Sequence, residues 1–126
     1  MLLYHVCPAW DGGDLESLRM RLWPLSEEEV CRRYHRRWQG TVSDSYTPHV
    51  EYIHFHTSLE EAVKFALAYG GEILEVEVND GDIVWDDLEY PHPMVADIVP
   101  AECVRRPNGT AAGNLAYQVE KCAETL

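Results

Sequence analysis

Two short segments of this chain carry imidazoles placed to act on a ligand. His5 stands in the apolar run Leu2-Leu3-Tyr4-His5-Val6, just ahead of Pro8 and the turn Asp11-Gly12-Gly13. A ring in that position is either a core histidine satisfied by its neighbours or a contact at the mouth of a cleft, where a strand gives way to a Gly-rich turn. His54 and His56 form the second segment, two residues apart in Glu51-Tyr52-Ile53-His54-Phe55-His56. Strand alternation sets both on one face with Tyr52 and turns Ile53 and Phe55 toward the core. Such a pair can bind a transition metal through neutral imidazole, face solvent without a role, or hydrogen-bond and stack on a polar ligand. Ligand contact is the preferred reading. A metal site needs a third ligand, and no spacing in the chain supplies one; His49, His92 or a carboxylate would have to arrive by folding.

Carboxylates complete the set. Asp86 and Asp87 follow Trp85 directly, and Asp97 interrupts an apolar stretch between Ala96 and Ile98. A charge within an apolar strand is costly to bury without a partner, so Asp97 either faces water or points into a polar site. The four cysteines, Cys7, Cys31, Cys103 and Cys122, form no Cys-x-x-Cys pair. Neither a structural zinc site nor a redox dithiol is signalled, and reduced thiols serving as small core residues are expected.

The elements that must hold these groups can be read from periodicity and caps. Leu2–Val6 is a short strand, and Asp14–Leu22 a candidate helix ending before Pro24. Ser26-Glu27-Glu28-Glu29 is a capping box whose acids sit where the helix dipole favours them; its helix runs to about Trp38 and stops at Gly40. A polar loop from Gly40 to His49 leads to the strand Glu51–His56. Ser58-Leu59-Glu60-Glu61 is a second capping box, opening a helix buried through Leu59, Ala62, Val63, Phe65, Ala66 and Tyr69 and closed by Gly70-Gly71. Glu72–Val78 alternates as a strand with Leu74, Val76 and Val78 on one face, then turns at Asn79-Asp80-Gly81. Ile83–Trp85, Met94–Val99 and Cys103–Arg105 are further extended segments, with a loop from Asp86 to Pro93. A helix over about residues 112–124 closes the chain. Strands with interspersed helices and tight turns define an α+β class.

Composition bounds the rest. The 126 residues, 46% of them hydrophobic, suit one domain spanning residues 1–126 with its core at about 3–104. No apolar run approaches the roughly 20 residues of a membrane span, and the N-terminal run lacks the basic region of a signal peptide. A cytoplasmic protein without a membrane partner is the expectation. The net charge of −12 argues against a general nucleic-acid binder. Arg32, Arg33, Arg36 and Arg37 cluster around His35, either as a solvated face balanced by Glu27–Glu29 or as a phosphate or partner patch.

Taken in order, these segments resemble the ADP-ribosyltransferase superfamily, with spacing most like the small rifamycin-modifying members. The signs are Tyr4-His5-Val6; His54-Phe55-His56-Thr57-Ser58-Leu59-Glu60-Glu61-Ala62; Gly70-Gly71 and the strand Glu72–Val78; and Asp97-Ile98-Val99-Pro100-Ala101-Glu102-Cys103-Val104. The likeness covers roughly Leu3 to Val104. It implies split antiparallel sheets flanked by two or three helices, with NAD as co-substrate and ADP-ribose passed to an acceptor such as a protein, a nucleic acid or a small molecule. His5 then matches the histidine that holds the NAD ribose. His54 takes the place usually filled by a tyrosine beside the nicotinamide, a place where RNA 2′-phosphotransferases carry histidine. Asp97 matches the superfamily's late acid, and Asp87 or Asp86 the acid of the rifamycin-type loop. Tyr52, His56, Thr57 and Ser58 would complete the cofactor-binding surface, and no metal is required. Two other functions stay open: an idle nucleotide- or protein-binding module of the same fold, and an RNA 2′-phosphotransferase-like reaction, which the acidic surface disfavours.

Overall fold

The computed structural model describes residues 1–40, 49–85, 92–108 and 110–125. It is a mixed α+β structure of small antiparallel sheets. One three-stranded sheet has β4 (Glu72–Glu77) at its centre, between β1 (Leu2–Cys7) and β8 (Val104–Arg105). A second centres on β6 (Pro93–Ala96), between β3 (Tyr52–His54) and β5 (Ile83–Trp85). A third pairs β2 (Leu15–Glu16) with β7 (Ile98–Val99).

Helices form where the caps place them. Ser26 accepts from the Glu29 amide and opens α2 (Glu27–Arg37); Ser58 accepts from the Glu61 amide and opens α3 (Leu59–Tyr69). The expected Asp14–Leu22 helix shrinks to α1 (Leu18–Arg21), because Leu15 and Glu16 pair with Val99 and Ile98 and Ser17 caps what remains. The described residues therefore hold four α-helices, the last being α4 (Ala111–Thr125). Tyr69 is a correction: it is exposed at the end of α3, whose buried face is Ala62, Val63 and Ala66.

Apolar residues divide into two cores. Leu3, Leu74, Val76 and Val104 of the first sheet meet Ile53, Phe55 and Val95 of the second, with Leu15 and Val99 of the third. On the other face of the first sheet, Ile73 packs beneath Ala62, Val63 and Ala66 of α3, joined by Tyr4, Val6 and, from α4, Leu115 and Cys122. The Glu72–Val78 strand is consequently covered on both sides, more deeply than its alternation suggests. Gly71 explains the Gly-Gly step: its φ is 113°, and a Cβ there would meet the Cys7 carbonyl oxygen at 2.5 Å.

A backbone bridge also joins the two larger sheets. The Tyr4 amide donates to the His56 carbonyl at 3.0 Å, and the His56 amide to the Tyr4 carbonyl at 2.7 Å. Both histidine-bearing segments thus lie on a single seam.

Candidate functional site

Alternation along β1 turns Leu3, His5 and Cys7 toward the inter-sheet core, while Tyr4 and Val6 pack under the helices. At the seam the half-buried His5 ring lies against Phe55, with centroids 5.5 Å apart, and its Nδ1 is 2.8 Å from the His54 carbonyl oxygen. A carbonyl only accepts, so Nδ1 carries the proton and donates. Burial pushes the His5 pKa down to about 4, the bond to His54 opposing that shift and the Arg21 charge adding to it. The ring is neutral at physiological pH, and Nε2 is its lone-pair side. Among the described residues nothing hydrogen-bonds to Nε2.

His54 is arranged differently. With Ile53 and Phe55 buried at 3% and 1%, its ring projects from the opposite face of β3. Its Nδ1 is 2.8 Å from Nε2 of His92 and its Nε2 is 3.0 Å from the His49 carbonyl. The carbonyl assigns the proton to Nε2 of His54, and a neutral His54 then accepts from His92 at Nδ1. His5 therefore meets β3 through the His54 main chain, and the His54 ring is tied to His92 and His49. His56, whose backbone makes the sheet junction, stacks on Phe65 at 5.2 Å, and burial lowers its pKa. Protonation of His54 or His56 would lower the His5 pKa further. Tyr52 packs on His49 at 6.1 Å, also outward. Thr57 follows the junction, and the Ser58 hydroxyl is committed to capping α3.

No family model, curated protein or solved structure matches the chain.

Asp97 is not joined to the histidines. It breaks the expected Met94–Val99 strand into β6 and β7, with φ at 59°, a left-handed conformation that aspartate tolerates better than most residues. Its amide donates to the Glu51 carbonyl, its carbonyl accepts from the Ser17 amide, and its carboxylate takes the Arg19 guanidinium at 2.9 Å. Asp86 and Asp87 lie outside the described residues. In the basic cluster on α2, Arg32, Arg33 and Arg36 all reach Glu29, one turn or two away. Among the described residues no group of three or more His, Cys, Asp or Glu side chains is set to hold a metal ion.

Sequence reasoning missed two groups that bear on β1. Glu72, 1% exposed, accepts from both Nε and Nη2 of Arg106 and from the Trp10 amide. Burial alone would raise its pKa, but the Arg106 and Trp10 hydrogen bonds outweigh that and hold it below the usual carboxylate range. An acid paired with a distant arginine leaves no local sequence signal. The second is Arg21, an exposed residue at the end of α1 whose positive charge lowers the pKa of both His5 and Cys7. A shallow groove of about 260 Å³ lies elsewhere, lined by Leu2, Glu75, Glu77 and Arg105 at the β4–β8 edge, and its carboxylates do not suit an anionic nucleotide.

Proposed function

We propose that this chain cleaves NAD at the nicotinamide–ribose bond and transfers ADP-ribose to an acceptor, on a fold of the ADP-ribosyltransferase type. One observation carries the reading: a neutral His5, fixed by its Nδ1–H bond to the His54 carbonyl, presents an acceptor nitrogen where the two sheets join. A ribose hydroxyl is a fitting donor to it. The ordered motif set, from Tyr4-His5 to Asp97-Ile98-Val99-Pro100, and the small antiparallel sheets support the same reading.

In this mechanism His5 orients the ribose, and orientation supplies much of the barrier reduction. Departure of nicotinamide leaves an oxocarbenium-like cation that a carboxylate stabilises. Asp97 pairs with Arg19 away from the histidines, and Asp87, with Asp86 beside it, is the acid that the rifamycin-type loop offers. Nicotinamide leaves as a neutral molecule, and the acceptor's nucleophilic atom forms the new bond to the ribose carbon and loses its proton to solvent.

A second reading, a nucleotide-binding module without turnover, is favoured by one feature. His54 replaces the usual tyrosine, and its ring is held by hydrogen bonds at both nitrogens. Incubation with NAD labelled in its adenylate separates the two. Label transfer or nicotinamide release, reduced about a hundredfold in His5→Ala, is the expected result. ADP-ribose binding by calorimetry without release would select the module, and an absence of both would remove either form of the proposal.

A further inference from the structure

We infer that the outward face of β3 carries a binding site for a divalent transition-metal ion, held by Nδ1 of His54 and Nε2 of His92. The site uses neither His5 nor the seam, so it goes beyond the reaction proposed above and does not depend on it.

Folding brings together two imidazoles that stand 38 residues apart in the chain. His54 ends β3, and Met94 of β6 lies across from it. His92 precedes Met94 by two residues, so strand alternation returns it to the same face. The facing nitrogens are 2.8 Å apart and the ring centroids 5.1 Å, with the ring planes tilted by 40°. His56, the partner that spacing alone suggests for His54, stacks on Phe65 instead.

Both rings start from fixed backbone. The His49 carbonyl accepts from the Tyr52 amide at 3.3 Å and also from Nε2 of His54 at 3.0 Å. That second bond sets the His54 tautomer and leaves Nδ1 with a lone pair directed at His92. A ring whose far N–H is held by a backbone carbonyl is the usual arrangement of a metal-bound histidine. His92 adjoins Pro93, which is buried and whose carbonyl accepts from the Phe55 amide at 3.0 Å. To coordinate, neutral His92 carries its proton on Nδ1 and turns the Nε2 lone pair to the ion. Metal–nitrogen bonds of about 2.0–2.1 Å at a tetrahedral angle put two imidazole nitrogens about 3.3 Å apart. Opening the pair from 2.8 Å takes about half an ångström, a small pivot of two half-buried rings.

The donors decide the class of ion. Neutral imidazole suits zinc, copper and nickel, whereas calcium and magnesium take oxygen ligands. Among the described residues no third His, Cys, Asp or Glu side chain joins the pair. Water fills the remaining positions, so the ion is exchangeable and the site is not a closed structural centre.

Calorimetry on the untagged full chain tests this, with zinc chloride as the probe and calcium chloride as the control. Zinc is expected to bind at a single site, weakened by at least about tenfold in His54→Gln and in His92→Gln. Zinc should also raise the Tm of the parent but not of His92→Gln, a readout that holds even where the substitution itself lowers stability. Zinc affinity unchanged in both variants would place the ion elsewhere and overturn the proposal. Calcium displacing zinc at equal concentration would overturn it too, since that marks a general attraction of cations to a chain of net charge −12. A parent protein that binds no zinc would end it.

Discussion

His5 and Glu72 stand on neighbouring strands of one sheet, yet their polar atoms are treated in opposite ways. Glu72 sits across from Cys7, and His5 across from Leu74. Both oxygens of Glu72 are engaged, by Arg106 and by the Trp10 amide. Arg106 also donates to the Trp10 carbonyl and stacks on the Trp10 ring at 5.1 Å. That cluster ties the start of the chain to β4 and to the segment after β8. His5 has one nitrogen engaged and one left for a partner that the described residues do not supply. A polar group buried and closed on all sides is scaffold, because leaving any of its atoms unpaired would cost more than the pairing contributes. A group held by one atom only is positioned for something else.

The largest effect is expected at Glu72. Glu72→Gln keeps the volume but removes the charge opposite Arg106, and Tm is expected to fall by about 10 °C in thermal denaturation. Nucleotide affinity of the remaining folded protein should be unchanged. Retention of the parental Tm would show that the cluster does not brace the fold.

Acid titration separates His5 from Glu72 by pH. The folded-state pKa of His5, about 4, lies below the ordinary 6.5, so between those values the unfolded chain binds the proton that the folded chain refuses. Stability on this account is undiminished above pH 6.5, falls as pH drops toward 4, and loses nothing more below that. Glu72, whose folded pKa is also depressed, contributes stability above its unfolded value near 4.5 and loses it as pH falls through its folded value, a lower window. His5→Asn retains a donor for the His54 carbonyl but cannot titrate. Its Tm should drop less than the parent's between pH 7 and pH 4.5, by about 5 °C. Equal drops would mean that the buried imidazole is not what the folded state keeps neutral.

Much of the scaffold was legible because its signals are local. Ser26 and Ser58 announce their helices within four residues, and the alternation of Leu74, Val76 and Val78 marks a strand in any context. What escaped is long-range. Leu15 and Glu16 look helical until Ile98 and Val99 offer a strand to pair with, and Asp97 looks like a strand residue until the Arg19 pair and the Ser17 and Glu51 hydrogen bonds hold it at positive φ. Tyr69 keeps helical spacing with the buried positions, but α3 ends there, and the ring packs on Trp38 and Phe65 instead. At the site, the identity of His5 as a candidate came from its strand. Its tautomer came only from the His54 carbonyl, a contact across 49 residues that no spacing rule reveals.

The smallest expected effect falls at Asp97, and it bears on the chemistry. The Arg19–Asp97 pair is half-exposed, with side-chain accessibilities of 38% and 45%, so water screens it and its net contribution is under about 1 kcal/mol. Asp97→Asn retains a residue suited to the left-handed backbone and should shift the denaturation midpoint only slightly. If the cation formed on loss of nicotinamide is met by Asp87, turnover in Asp97→Asn stays within about twofold of the parent, while Asp87→Asn loses about a hundredfold. The reverse pattern, with Asp97→Asn inactive at unchanged stability, would mean that the Arg19 pair opens when substrate binds and that Asp97 is the acid.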